Sequence, residues 1–439
     1  MNDGPDLSRD QPWHRLVASR PGLAWHAMDG LCLDDSPLAA IAAQHGTPTW
    51  IYSATTLRSR MEALQAAFTA QGLAPAIRYA IKANDHLAIL TLLYRHGAGA
   101  DVTSAGECAR ATAAGIPPAA MVYSGVGKRT DEISHAIAAG IDQINVESAE
   151  ELSAISGLAS AQNRIARIAL RVNPDVAAGG HDKISTGRAT DKFGIAYNDA
   201  TALYRHAAQQ PGIEPVGFST HIGSQIFDVA PYQAAYTRIL ALIDALNGAG
   251  TPVTRFDLGG GFGIPYDDGI GFPLPAYAAM VRRIVGDRPL ELVIEPGRWL
   301  VAPAGILLAR VTRTKATDAA NFLILDAGMN DLLRPALYQA THGIVPISAI
   351  DATQSARAYE VVGPVCESSD RFGQYALPPI TQAALVAILD AGAYGAAMSS
   401  TYNGRPLAAQ ILIDRGHPHL IRQRQTVEHL WRDEIIPPA

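Results

Sequence analysis

Four short stretches place chemically useful side chains among glycines and small residues. Lys82 lies in Tyr79-Ala-Ile-Lys82-Ala-Asn84, and His221 in Thr220-His-Ile-Gly-Ser224-Gln225. Three glycines run from Gly259 through Gly260 to Gly261, and Glu295-Pro-Gly297-Arg298 follows an apolar run. A lysine in such company has two readings. Its stem can simply lie along apolar surface with the amine in water, or partial burial can make the amine a nucleophile for an aldehyde. Glycines let the backbone approach an anion and aim several N–H groups at it, but they also serve tight packing alone. His221 is either a hydrogen-bonded core residue or a ring lying flat on a cofactor, leaving Ser224 and backbone amides for a phosphate. Each stretch is ambiguous by itself. Together they supply an amine for an aldehyde, donors for a phosphate and a carboxylate for a ring nitrogen, which are the parts that pyridoxal 5'-phosphate requires.

A second group lies towards the C-terminus: Met329-Asn-Asp-Leu-Leu-Arg334-Pro-Ala-Leu-Tyr338, Cys366-Glu367-Ser-Ser-Asp370 and Ser399-Ser-Thr-Tyr402-Asn403. Each has a plain reading. Cys366 can be a small buried hydrophobe, Glu367 and Asp370 solvated loop charges, and Arg334 the partner of any nearby carboxylate. Two nucleotide-site lookalikes fall away. Gly125-Val-Gly127-Lys128 ends like a P-loop, but Val122 stands where that motif needs glycine, and Ile264 breaks a G-x-G-x-x-G reading of the 259–263 glycines.

These groups need elements to hold them. The chain has 439 residues, enough for two or three domains. With 48% apolar and 17% charged residues it can bury a large core, which excludes disorder as its main state. A net charge of −6 argues against a nucleic-acid or anionic-membrane partner. Cys32, Cys108 and Cys366 are isolated, so they form neither a disulfide framework nor a metal site. The N-terminus lacks a basic start followed by an apolar run, and no apolar run nears the ~20 residues that span a bilayer. The expectation is a cytoplasmic protein.

Eight β-type runs recur: 77–83, 99–104, 121–125, 143–148, 168–174, 216–224, 255–263 and 291–299. Amphipathic helical stretches lie between them, one carrying Leu57, Met61, Leu64 and Phe68. Two helices open on capping boxes, Ser104 with Glu107 and Ser148 with Glu151. This alternation predicts an α/β fold, a (β/α)8 barrel spanning 54–305, with an open doubly wound sheet as the alternative. In a barrel, function sits at the C-terminal strand ends, and the loops after strands 7 and 8 often hold phosphate. Here those ends are Gly259–Gly263 and Glu295–Arg298. Beyond about 305 short apolar or alternating runs predict an antiparallel β domain of 306–439, which residues 1–53 join through the run 48–53.

The motifs YAIKAN, RVNPD, HDKISTG, DKFGI, HIGSQ, GGGFG, EPGRWLV, DAGMNDLLRPALY, VVGPVCESSD and SSTYN follow one another in an order that resembles the diaminopimelate decarboxylases, from about residue 40 to 415. YAIKAN and EPGR are shared by a wider group of decarboxylases. DAGMNDLLRPALY, HDKISTG and CESSD are particular to this branch. Small departures are SSTYN, where that family often has Asn before the Tyr, and Gln410, where an acidic residue is common.

The resemblance implies an alanine-racemase-like, fold type III enzyme that binds pyridoxal 5'-phosphate and converts meso-2,6-diaminopimelate to L-lysine and carbon dioxide. It implies that Lys82 holds the cofactor, Glu295 pairs with the pyridine nitrogen, and His221 stacks on the ring. Ser224, Gly260, Gly261, Gly297, Arg298 and Tyr402 would surround the phosphate. Arg298, Arg334 and Tyr338 would grip the distal carboxylate of the substrate, with Tyr402 beside them. Cys366 and Glu367 would reach in from a partner subunit, implying a homodimer, with Glu367 facing the distal ammonium and Cys366 as proton donor in competition with Lys82 or water. The alternatives are a decarboxylase of ornithine, arginine or a carboxylated siderophore precursor, and, in another class, a non-catalytic cofactor carrier.

Overall fold

The computed structural model describes residues 12–176, 192–348 and 355–438. The HDKISTG stretch lies outside the described residues. Two compact units emerge, one of Arg58–Ile264 with Gly271–Leu300, the other of Met1–Leu57, Pro265–Ile270 and Val301–Ala439.

The first unit is a closed ring of eight parallel strands: Ala76–Ala80, Ala98–Val102, Met121–Tyr123, Gln143–Val146, Ala166–Asn173, Ile213–Ser219, Arg255–Asp257 and Glu291–Ile294. Pairing of the eighth strand with the first, Val293 against Ala76, closes the ring and rules out the open sheet. Helices cover the strands outside, so most strand residues are buried on both faces and read as near-continuous apolar runs. Ala98–Val102 is buried at every position. The strands end sooner than the apolar runs do. The first stops at Ala80 and tightens into a 3₁₀ turn, Ile81–Ala83, and the seventh stops at Asp257. The residues beyond turn across the barrel mouth.

Helix Ala54–Thr69 buries Leu57, Met61, Leu64 and Phe68 to 1% exposure or less, each burial worth roughly 1.5–3 kcal/mol. Ser104 and Ser148 cap their helices, accepting from the N–H of Glu107 and Glu151 at 3.2 and 3.1 Å. The return bonds differ from the simple box. Glu107 accepts from the Thr103 N–H and Glu151 from the Glu147 N–H, one residue upstream of each cap. This ties each helix start to the strand end before it. Lys128, the P-loop lookalike, has a fully buried side chain and donates at 2.7 Å to Gly125 O, Asn145 O and Glu151 Oε1. At the N-terminal end of the barrel, Asp142 receives Arg78, Arg167 and Arg255, and Arg255 also pairs with Glu291.

The second unit is built on a nine-stranded sheet. Its spine is Gly305–Ala316, which pairs antiparallel with Thr49–Ser53, Leu385–Ile388 and Asn321–Leu325 along different parts of its length. The N-terminal run 48–53 thus joins this sheet. Two pairings depart from the antiparallel pattern: Thr49–Ser53 lies parallel to Ala409–Asp414, and Asn321–Leu325 parallel to Arg357–Val362. Leu31, Leu38, Ile51, Leu308, Val345, Ala387 and Ile411 share one core. Among the described residues no helix is long and apolar enough to cross a membrane.

Candidate active site

The mouth of the barrel gathers one amine and three carboxylates. Lys82, on its 3₁₀ turn, places Nζ 3.3 Å from Asp101 Oδ2, and Asp101 pairs in register with Ala80 on the neighbouring strand. The Lys82 side chain is 43% exposed and that of Asp101 only 1%. The other Asp101 oxygen, Oδ1, is buried with no hydrogen-bond partner. Asp257 ends the seventh strand and is fully buried; Glu295 follows the eighth and is nearly so. Burial, reinforced by the charges of Asp101 and Asp257, drives the Glu295 carboxyl well above its ordinary range, with Lys82 opposing. Asp257 is lifted to about 6, chiefly by burial. The interaction between the two carboxyls adds to the upward shift of Glu295 and opposes that of Asp257.

His221 follows the sixth strand and accepts the Gly260 N–H at Nδ1, 3.4 Å away. Burial, with Arg171 and Lys82 acting in the same sense, pushes the imidazole well below its usual range, so it is neutral at pH 7. The glycines after the seventh strand serve close packing as well as any ligand. A Cβ at Gly259, Gly260 or Gly261 would strike the carbonyl oxygen of Thr220, Glu295 or Gly223 respectively. Gly259 and Gly261 also hold φ of +68° and +101°, where side chains are strained.

The sixth and seventh loops are zipped together. Ile226 N–H donates to Gly261 O at 3.1 Å, and the Gln225 amide binds both the N–H and the carbonyl of Ile264. From behind, Tyr232 and Tyr236 donate to the carbonyls of Gly260 and Leu258 at 3.1 and 2.7 Å. At the eighth loop, Gly297 lies where a Cβ would crowd Ala80 and Ala83, and buried Arg298 donates to Ser224 Oγ at 3.2 Å. Lys82, His221, Ser224, Gly260, Gly261, Glu295, Gly297 and Arg298 thus all sit at the same end of one barrel.

Arg334, Tyr338, Cys366, Glu367 and Tyr402 belong to the second unit, in two groups. Arg334 is buried, stacks 4.3 Å above the Tyr266 ring and bonds His342 Nε2 at 2.6 Å. Since a guanidinium only donates, His342 accepts there, and its Nδ1–H faces Leu389 O at 2.8 Å. Tyr338 ends the same helical turn, Arg334–Tyr338. In the other group the exposed Cys366 donates its backbone N–H to Asn403 Oδ1 at 3.1 Å, while the Tyr402 hydroxyl donates to Glu367 Oε1 at 2.5 Å. That bond and the charge of Glu367 raise the Tyr402 phenol above its ordinary range. Asp370 is no solvated charge. It is 3% exposed and accepts the N–H groups of Met329 and Val365, each at 2.6 Å, clasping the two loops together.

The sequence reading missed Asp101, Ser124, Gln143, Asn145, Arg255 and Asp257, all buried polar residues of the barrel interior. Their signal was present as polar residues two apart within apolar strand runs, Gln143 with Asn145 and Arg255 with Asp257, which places each pair on one face.

This donor set fits pyridoxal phosphate. It offers an amine at the mouth, a carboxyl whose burial disfavours its charge and which a cationic ring nitrogen would pair, and a neutral imidazole beside glycine loops. The profile of the family described as "Pyridoxal-dependent decarboxylase, pyridoxal binding domain" matches residues 54–302. The chain is similar to the diaminopimelate decarboxylase of Zymomonas mobilis, 45% identical over 410 residues that cover 92% of this chain and 96% of the relative. It is also similar to two solved structures. The diaminopimelate decarboxylase of Helicobacter pylori complexed with L-lysine has a TM-score of 0.86 at 38% identity, covering 90% of this chain and 99% of that one. That of M. jannaschii in co-complex with L-lysine has a TM-score of 0.90 at 32% identity, covering 96% and 99%.

Proposed function

The chain belongs to the diaminopimelate decarboxylase family of pyridoxal-dependent decarboxylases, and from that membership we propose that it converts meso-2,6-diaminopimelate to L-lysine and carbon dioxide. The observation that carries this reading is the barrel mouth, where the Lys82 amine stands over buried Asp101 in the company of Glu295 and His221. Bound pyridoxal phosphate supplies an aldehyde for an amine and a ring that accepts the electron pair left when carbon dioxide departs.

The residues of the chain do the rest. Lys82 holds the cofactor, and Asp101 orients its amine while the amine is free. Glu295 faces the pyridine nitrogen. His221, being neutral, covers the ring without adding charge. Ser224, Gly260, Gly261, Gly297 and Arg298 surround the phosphate, with the Tyr402 hydroxyl completing the set. The guanidiniums of Arg298 and Arg334, with Tyr338, take the distal carboxylate through charge-assisted bonds. Glu367 takes the distal ammonium. A substrate lacking either charge leaves one of these groups unpaired, which is how such a site rejects lysine and ornithine. The Cys366 thiol delivers the proton that replaces the lost carboxylate at the α-carbon.

The β-rich part of the chain, 1–53 and 306–439, serves as the substrate and dimer-interface domain. The enzyme works as a homodimer in which Cys366 and Glu367 of one copy serve the barrel of the other, and it does so in the cytoplasm, where isolated cysteines stay reduced. The test is carbon dioxide release by the cofactor-loaded protein offered meso-diaminopimelate beside lysine, ornithine and arginine. A strong preference for meso-diaminopimelate is expected. Release from ornithine or arginine in its place would refute the substrate assignment.

A further inference from the structure

A line of buried polar side chains runs up the inside of the barrel, and its direction is fixed at its foot. Arg255 is 2% exposed and is held by Asp142 and Glu291 at the N-terminal end. Its Nη1 donates to Gln143 Oε1 at 3.0 Å. A guanidinium has no acceptor, so the Gln143 oxygen must face Arg255 and its NH2 must point the other way. That NH2 donates to Asn145 Oδ1 at 2.7 Å and to Asp257 Oδ2 at 3.1 Å. With its oxygen so engaged, Asn145 turns its own NH2 to Ser124 Oγ at 3.0 Å and to Glu295 Oε1 at 3.4 Å.

The backbone at each end of this line is pinned as well. Lys128 holds the Asn145 carbonyl, and Glu295 N–H donates to Gly259 O at 2.8 Å. Gln143 and Asn145 are 0% and 1% exposed, so neither amide can turn over by exchanging a partner with water. Among the described residues, the charged and titratable groups that bear most on Glu295 are Asp101, Asp257 and Lys82. Two of the three are carboxylates that favour its neutral form, and Lys82 opposes them. Asn145 adds a donor, which favours the ionised form of Glu295.

We propose that Gln143 and Asn145 are positioning residues, a one-way hydrogen-bond chain anchored on Arg255 that presents a donor to Glu295 and so lets that carboxylate hold the ring nitrogen of the cofactor in its protonated state. The inference rests on the placement of Glu295 at that nitrogen. Reversing the chain should reverse its effect. In Gln143→Glu the carboxylate can still accept from Arg255, but it offers no donor above. Asn145 must then turn its NH2 down and show its oxygen to Glu295, which keeps its own proton.

The test is the ¹⁵N resonance of protein-bound pyridoxal phosphate labelled at the ring nitrogen, followed against pH. Three proteins are compared: the parent, Gln143→Glu and Glu295→Gln. The parent should show a protonated ring nitrogen at pH 7, and Glu295→Gln should lose it. In Gln143→Glu the midpoint of that titration should fall by about one pH unit or more, as expected for loss of a countercharge. Where Gln143→Glu does not fold, Asn145→Asp cuts the same link at its upper end and carries the same expectation. An unchanged midpoint in the folded variant overturns the chain, even if cofactor occupancy drops, because a structural role alone would reduce occupancy without moving the nitrogen. A ring nitrogen that stays protonated in Glu295→Gln, or that is unprotonated in the parent, overturns the placement of Glu295 instead.

Discussion

Asp331 gives a stability prediction whose sign runs against intuition. Its side chain is buried in the second unit, where Oδ2 accepts the Gly328 N–H at 3.1 Å. Burial lifts its pKa from the ordinary 3.8 to about 6; Asp326 adds to the lift, while Arg405 and Arg424 oppose it. The folded state therefore binds this proton more tightly than the unfolded state does. Its contribution is fully present below about pH 4 and is lost as the pH rises through about 6. A lift of roughly two units corresponds to roughly 3 kcal/mol against the folded state at neutral pH. Asp331→Asn keeps an oxygen for the Gly328 N–H and does not titrate. The variant should match the parent near pH 4 and exceed it by roughly 2–3 kcal/mol above pH 7. Urea unfolding of both proteins from pH 4 to 8, at one fixed cofactor concentration, measures the gap. A gap that is flat with pH, or a variant less stable than the parent at pH 7, would refute the reasoning.

Four further outcomes follow from the site. Lys82→Ala should fold normally yet lose carbon dioxide release, and borohydride should no longer fix the cofactor to the chain, as read by intact mass. Arg334→Ala should raise KM for meso-diaminopimelate by roughly 10- to 150-fold, the worth of about 1.5–3 kcal/mol for a charge-assisted bond; an unchanged KM removes Arg334 from the substrate. Cys366→Ala should divert part of the turnover to transamination products seen by mass spectrometry, and an unchanged product partition rules the thiol out as proton donor. Tyr236→Phe strips the hydroxyl from the Leu258 carbonyl and should cost about 1–3 kcal/mol in unfolding experiments while weakening phosphate retention.

The barrel was legible because its strands are buried on both faces, so that Ala98–Val102 and Gln143–Val146 stand out between amphipathic helices. Their ends were not. The residues after Ala80 and Asp257 continue the small or apolar texture of the strand, and only the turn Ile81–Ala83 and the positive φ of Gly259 reveal the break. In the second unit Ile344–Pro346 is too short to signal itself, and Arg371–Leu377 alternates around a glycine. The two parallel pairings depend on which distant segments meet, which local pattern does not encode. At the site, Lys82, His221 and Glu295 were visible as types in context. Asp370 was not, since the same letter serves a solvated loop charge and a clasp between two loops. Gln143 and Asn145 were hidden for the opposite reason, as polar letters inside runs that read as core.

The charge distribution along the barrel explains why these hidden residues matter. Three arginines meet Asp142 at the N-terminal end, and Asp101, Asp257 and Glu295 lie at the C-terminal end with the Lys82 amine beside them. Burial and mutual repulsion raise the carboxyls of Glu295 and Asp257, so ionising both together is costly. A ligand that brings positive charge to Glu295 lowers that cost, and the site gains most from a ligand protonated at that point. A ligand with only a phosphate and an aldehyde would leave the imbalance in place. The carboxyl cluster therefore argues for a basic heterocycle at Glu295 independently of the phosphate loops, and the Arg255 line below it, which turns the Asn145 NH2 towards Glu295, supports the same charge state.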